Sequence, residues 1–281
     1  LIGKDVKRYW YVDNKKYLLF IPWDFDLDKY PSIKSHLLFF KEKLESRPEV
    51  KEGRYPWFAM SRYASKYFQK FDEPKLIYLK FQVNPAFAFD DRGFVLNSAI
   101  WFIPTSDLYL IGILNSKLGW FLISKYCSEI QNGYQLIYDY LKELPIILPS
   151  SENNHYVEKI RSLTKEISEK KGLLFNTISP QFTRLLRRRF DVEQLPQKLE
   201  TWHELSYKDF CAELNKLLQK VHKRKLSIQE DLEWEPLFEE QRQKAAALQS
   251  DIQRTDREID GLVYGLYGLT DEEVRIVEGT S

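Results

Sequence analysis

The chain has 281 residues, 30% charged and 43% hydrophobic, which excludes a disordered polypeptide and allows one large or two ordinary domains. Its 42 basic and 41 acidic residues give a formal net charge of +1, which excludes a polybasic, histone-like protein but not local basic patches. Two cysteines, Cys127 and Cys211, exclude a disulfide framework and Cys-rich zinc modules and fit a reducing, cytoplasmic setting; His36, His155, His203 and His222 show no metal-ligand spacing.

The first residues, Leu1-Ile2-Gly3-Lys4, carry no initiator Met and none of the regions of a signal peptide, so the chain reads as a piece of a longer polypeptide. Arg8–Val12 and Lys16–Ile21 flank Asp13-Asn14 and predict a hairpin. Pro31 opens a predicted helix with an apolar stripe of Ile33, Leu37, Phe40 and Leu44. Lys75–Phe81 and Phe94–Ile103 are rich in β-branched and aromatic residues and predict strands, the second preceded by a turn at Asp90-Asp91-Arg92-Gly93. A helix follows over about Asp107 to Lys125. Its apolar run is interrupted by Asn115, Ser116 and Lys117, so it reads as a buried helix and not as a membrane span.

Composition changes near Leu144-Pro145-Ile146-Ile147-Leu148-Pro149-Ser150-Ser151. Residues 1–147 hold 31 of the 42 aromatics and a net charge of +4; residues 148–281 carry a net charge of −3. A domain border is expected there, giving a mixed α/β part over 1–148 and a helical part over 149–281. In the helical part Val157, Ile160, Leu163, Ile167 and Leu174 form one stripe. Ser179-Pro180 reads as an N-cap with proline at the first helical position, and Ser227/Glu230 and Thr270/Glu273 as capping boxes. Leu248, Ile252, Thr255, Ile259, Leu262 and Leu266 repeat in steps of four and three, a coiled-coil-like seam or the core stripe of an ordinary bundle. Two long helices, about 152–175 and 240–266, are expected to pair antiparallel, with 180–235 as a helical excursion.

No Gly-rich phosphate loop, G-x-S-x-G or H-E-x-x-H motif occurs. Asn84-Pro85-Ala86-Phe87 resembles the N-P-P-[YF] motif of amino-methyltransferases, where Asn holds the exocyclic amine and the aromatic ring stacks on a flipped base. Here Ala86 replaces the second proline and no Gly-rich strand precedes it, so a strand-to-strand turn is the favoured reading. Glu73-Pro74-Lys75 resembles half of a metal-dependent nuclease motif, with Asp24, Asp26 and Asp28 as conceivable Mg²⁺ ligands; a turn leading into a strand is favoured again. Asp24–Asp28 is no Ca²⁺ loop, because Lys29 and Ser35 stand where Gly and Glu are needed.

The order of pieces across residues 3–147 is more telling than any single motif. It runs Gly3-Lys4-Asp5-Val6-Lys7-Arg8-Tyr9, Tyr30-Pro31-Ser32-Ile33-Lys34-Ser35-His36-Leu37, Leu44-Glu45-Ser46-Arg47, Trp57, Arg62, Glu73-Pro74-Lys75-Leu76-Ile77-Tyr78, Ile111-Gly112-Ile113-Leu114-Asn115-Ser116-Lys117 and Leu141-Lys142-Glu143-Leu144-Pro145-Ile146. In this order the pieces resemble the TaqI-like C-terminal specificity domain of type IIG restriction–modification enzymes. The stretch Asp260-Gly261-Leu262-Val263-Tyr264-Gly265-Leu266-Tyr267-Gly268-Leu269-Thr270-Asp271-Glu272-Glu273 resembles the helical terminus of the same enzymes. The resemblance implies an α+β chain: a target-recognition domain that reads double-stranded DNA, followed by a helical spacer. It further implies an upstream adenine-N6 methyltransferase domain using S-adenosylmethionine, often with an Mg²⁺-dependent nuclease domain, in a bacterial, cytoplasmic setting. Neither catalytic domain lies in this chain, so no cofactor is expected within it and no catalytic residue is named.

Readers of DNA sequence need cations for phosphates and forked polar groups for base edges. The first half supplies Lys4, Lys7, Arg8, Arg54, Arg62, Lys66 and Lys80, together with Lys15, Lys16 and Lys51, interleaved with Tyr9, Trp10, Tyr55, Trp57 and Tyr63. Gln82, Asn84 and Asn97 are the polar candidates, Gln82 and Asn97 chief among them. The plainer reading is a solvated basic face over a core of aromatics. Arg187-Arg188-Arg189 is a second basic cluster, expected to pair with nearby acids more than with phosphate. The rival reading of the whole chain is a helical interaction module, an adaptor or separate specificity subunit docking through the Leu248–Leu266 seam.

Overall fold

The computed structural model describes residues 1–13, 15–62 and 66–279. They form a mixed α+β region followed by helices, as the sequence predicts. By packing, the chain divides into a larger unit, residues 1–13, 74–91 and 96–281, and a smaller one, residues 14–73 and 92–95.

In the larger unit, β1 (Val6–Lys7) and β2 (Trp10–Tyr11) make a short hairpin, Val6 opposite Tyr11 and Lys7 opposite Trp10. The turn of this hairpin falls on Arg8-Tyr9, and Lys16–Ile21 forms no strand, so the predicted hairpin partner is not there; of the predicted turn at Asp13-Asn14, Asn14 lies outside the described residues. Tyr9 holds a left-handed φ of 71° because its ring is buried and its N–H donates to Phe87 O at 2.8 Å.

The main sheet is antiparallel, ordered β5 (Phe87–Asp90), β3 (Lys75–Leu79), β6 (Ile100–Pro104). Leu76, Ile77 and Tyr78 are buried, which makes β3 central. Alternation sends Leu76 and Tyr78 into the large core and Ile77 to a second cluster with Val6, Ala88 and Ile100. Lys75 sits directly opposite Asp90 and pairs with it at 2.7 Å, both fully buried, so its ammonium is engaged in the fold. The predicted strand over 94–103 keeps only its second half, since residues 94–99 form a loop from the Gly93 turn. A second antiparallel sheet orders β4 (Phe81–Gln82), β8 (Gly133–Gln135), β7 (Ser128–Ile130).

The helix expected over 107–125 is two: α4 (Leu108–Asn115) and α5 (Lys117–Tyr126), in chain order after three short helices of the smaller unit. Ser116 breaks it, with extended backbone and its Oγ accepting the Gly119 N–H at 3.0 Å. Gly119 is required there, because a Cβ would lie 2.0 Å from Ile113 O. A short helix, α6 (Tyr138–Leu141), follows β8.

The helical part opens with α7 (Asn154–Leu173), whose predicted stripe of Val157, Ile160, Leu163 and Ile167 is buried, with Leu174 just beyond. Ser179 is no cap. A wide π-type turn over Leu174–Ile178 carries the helical path into α8 (Ser179–Phe190), absorbing Pro180, and the Ser179 hydroxyl faces Glu200 O. Next come α9 (Gln197–Glu200), α10 (Tyr207–His222), α11 (Ile228–Tyr267) and α12 (Asp271–Glu278). Both predicted capping boxes close, and that at Ser227 starts α11 well before residue 240. α7 and α11 pair antiparallel: Tyr156 meets Gly265, Glu166 meets Thr255 and Lys170 meets Asp251. Ile252, Thr255 and Ile259 of the predicted seam are buried, and Leu248, Leu262 and Leu266 pack at the same core. The seam is thus filled from within the chain, against the rival interaction-module reading. The excursion builds an aromatic core around Phe182, Trp202, Phe210, Trp234 and Phe238.

Packing does not break at 148: α4 lies against α7, and one core runs from Leu76 and Phe87 through Ile111 to Ile160 and Ile259. Composition follows secondary-structure type, whereas compactness follows side-chain contact. The smaller unit holds α1 (Pro31–Leu38), α2 (Lys41–Glu45) and α3 (Pro48–Lys51) over a core of Ile21, Leu27 and Leu37 with Ile33, Leu44 and Trp57. The helix read from Pro31 stops before Phe40, where the Phe39 and Phe40 amides bond carbonyls three residues back, and Phe40 is half exposed. No described helix is long and apolar enough to cross a membrane.

Candidate nucleic-acid interface

The sequence candidates fall on both units. In the larger unit, Ala99 is a meeting point. Asn97 N–H donates to Leu1 O at 3.1 Å, Lys80 N–H donates to Ala99 O at 3.2 Å, and a Cβ on Gly3 would lie 3.2 Å from Ala99 Cβ. Lys4, Lys80 and Asn97, far apart in sequence, are thereby gathered at one end of the β3–β6 ladder. Lys4 and Asn97 are exposed, and the half-buried Lys80 holds its ammonium 5.6 Å from the Trp101 ring centre. The Asn97 Oδ1 accepts from Ala99 N–H, and among the described residues its NH₂ donates to none. Lys7 projects from β1, exposed; among the described residues neither it nor Lys4 forms an ion pair.

Two candidates are placed otherwise than the sequence reading expects. Arg8 donates through Nε and Nη2 to Asn115 O at 2.9 and 2.7 Å and through Nη1 to Asp256 at 2.6 Å. Its guanidinium ties the β1–β2 turn to the α4–α5 junction and to α11. Gln82 is buried, its Nε2 donating to Leu79 O at 3.2 Å and its Oε1 accepting from Ala86 N–H at 2.8 Å. That amide locks the 82–86 turn. Phe87, the aromatic of the methyltransferase-like tetrapeptide, is fully buried and stacks on Tyr78, so the tetrapeptide is the strand-to-strand turn.

The surroundings of Arg8 are electrostatically tense. Lys171 donates to Arg8 O and lies over the Tyr9 ring; burial, helped by Arg8, lowers its pKa to about 8. Asp260 accepts from the Lys117 N–H at 2.8 Å, yet burial raises its carboxyl to about 6. Among the described residues the buried Tyr9 hydroxyl and Asp256 Oδ1 make no hydrogen bond of standard geometry. This is a structural junction, closed by α7 and α11.

In the smaller unit, Arg54 is largely exposed and pairs with Glu52 at 2.7 Å. Arg62 and Lys66 are exposed, with no ion pair among the described residues. Of the interleaved aromatics, Tyr9 and Tyr55 are buried and Trp10 stacks on Phe175; Tyr63 lies outside the described residues. The aromatics open to solvent are others, Tyr17 at 97% and Phe39 at 86% exposure. Sequence reasoning did not single them out, because no local signal separates them from their buried neighbours. Beyond this region, Arg187 pairs with Glu200 and Arg189 with Glu233, the favoured expectation for that cluster.

Residues 152–263 match a domain of unknown function (DUF8810). Residues 1–146 match the TaqI-like C-terminal specificity domain, and that match covers over half the chain. It supports DNA sequence recognition, of the kind restriction–modification enzymes need, and the exposed cations at the Ala99 cluster and around Arg62 agree with it. By this match, the chain belongs to the TaqI-like C-terminal specificity domain family.

Proposed function

We propose that this chain is the specificity region of a type IIG restriction–modification enzyme, reading duplex DNA and so directing adenine-N6 methylation and cleavage by domains upstream in the same polypeptide. The family match over residues 1–146 is the observation that carries this reading. Lys4, Lys7, Lys80 and Lys66 would neutralise phosphates, which fixes register without carrying sequence information. Arg62, Arg54 and Asn97 are the forked donors suited to base edges in the major groove. Arg8 and Gln82 act inside the fold, Arg8 by positioning the strand that carries Lys7.

S-adenosylmethionine and Mg²⁺ belong, in this reading, to the upstream domains. The described residues do not gather a site suited to either group. Among the described residues no three His, Cys, Asp or Glu side chains gather, and the sequence has no Gly-rich cofactor loop. The test is the reading frame before Leu1. An in-frame N-P-P-[YF] motif preceded by a Gly-rich strand is the expected result; a start codon at or just before Leu1 would contradict the shared-polypeptide reading.

A further inference from the structure

The helical part carries a basic surface beyond residues 1–146, where the specificity-domain match lies. Residues 216–225 contain Lys216, Lys220, His222, Lys223, Arg224 and Lys225 and no acid, within a region, 148–281, whose net charge is −3. The fold sets three of these cations, Lys216, Lys220 and Lys225, around one cavity. Lys216 and Lys220 lie one turn apart on α10, and the chain then reverses at Lys223, which holds a left-handed φ of 56°. Asn215 Oδ1 accepts the Leu226 N–H at 2.7 Å and pins the returning loop to α10, while Glu230 grips Arg224 through both oxygens. The result is an open cavity of about 530 Å³ lined by Ala212, Asn215, Lys216, Gln219, Lys220 and Lys225.

Among the described residues Lys220 and Lys225 have no acidic partner, and Lys216 meets only Glu213, which Lys198 also reaches. This differs from Arg187 and Arg189, whose charges are answered by Glu200 and Glu233. Three ammonium groups around a cavity, with two carboxamides beside them, suit closely spaced anionic oxygens. A duplex presents one charge per ~1.7 Å of axis and rewards such a surface through counterion release.

We infer that the Lys216–Lys220–Lys225 face of the helical part grips the phosphate backbone of duplex DNA, independently of sequence. The inference rests on the proposed DNA-reading function for its choice of partner. The face would contribute affinity and salt dependence, while discrimination stays with residues 1–146.

The test compares the full chain with a K216Q/K220Q/K225Q variant and with a K159Q/K165Q/K244Q control, whose lysines are exposed and paired with acids. Fluorescence anisotropy would use two labelled duplexes of about 40 base pairs, one enriched by the chain from a random pool and one scrambled. The patch variant should bind both about tenfold more weakly and lower the log–log salt slope by about 2 to 3, with the ratio between duplexes unchanged. Circular dichroism and the control variant should match the unsubstituted chain. Unchanged affinity and slope in the patch variant, or an equal loss in the control, would overturn the inference. So would intact DNA binding with lost binding of a poly-glutamate peptide, which would make the face a site for acidic protein. Clear preference for the enriched duplex with no effect of the patch variant defeats this inference alone. No preference, with the patch variant still weaker on both, defeats the sequence-reading proposal and leaves the grip standing.

Discussion

The Arg8 guanidinium meets two groups that the fold cannot otherwise satisfy, the Asn115 carbonyl at the helix break and the Asp256 carboxylate on α11. Truncating it leaves a mostly buried carboxylate without its cation. With Arg8 about a quarter exposed, Arg8→Ala is expected to cost about 2–4 kcal/mol, seen as a lowered unfolding midpoint. An unchanged midpoint with lost DNA binding would instead place Arg8 on the DNA. Among the described residues Arg62 has no such partner. Arg62→Ala should leave stability alone and weaken binding to the preferred duplex more than to a scrambled one, by about 1–3 kcal/mol. Equal losses on both would remove it from base readout. Asp260 gives a pH signature. Its carboxyl titrates near 3.8 when unfolded and at about 6 in the fold, so the native state holds the proton more tightly. The stabilisation is full below the unfolded value and disappears as pH rises through about 6. Asp260→Asn should therefore gain on the unsubstituted chain, by about 2–3 kcal/mol, as pH is raised from about 4 to about 7. Parallel pH–stability curves for the two proteins would refute the buried-carboxyl account.

Elements were legible where a stripe or a cap imposes itself locally. The α7 stripe, both capping boxes and β3 follow from spacing alone. The β1–β2 turn was not legible, because Tyr9 adopts its left-handed backbone for contacts with β5, far along the chain. Nor was the Ser116 break, which depends on Asn115 bonding both the N–H and the C=O of Phe87. Of the site, the residue types were readable but their fate was not: Arg8 and Arg62 look alike in sequence and differ only in what the fold places beside them. The packing of α4 on α7 makes its own prediction. A Cβ at Gly112 would sit 2.5 Å from Ile160 Cγ2 and 2.6 Å from Thr164 Oγ1, whereas one at Gly172 meets nothing within 4 Å. Gly112→Val should destabilise by about 1–3 kcal/mol or more through overpacking, and Gly172→Ala should stabilise by about 0.5–1 kcal/mol through helix propensity. Chemical denaturation would read both, and effects of the same sign would contradict the close approach.

At the scale of the whole molecule, the chain joins a specificity domain to a helical region through a shared hydrophobic core, with the seam of its longest helix satisfied internally. If, as proposed, the β-hairpin and sheet end carrying Lys4, Lys7, Lys80 and Asn97 meet DNA, their bracing by α7 and α11 leaves little to order on binding. The measurement that bears most directly on the account is selection: the purified chain is incubated with a pool of random-sequence duplexes, and the bound fraction is sequenced. Enrichment of one short motif, weakened in the Arg62→Ala protein and retained in the K216Q/K220Q/K225Q protein, is the predicted result. A bound fraction as random as the input would contradict the claim that this chain reads DNA sequence.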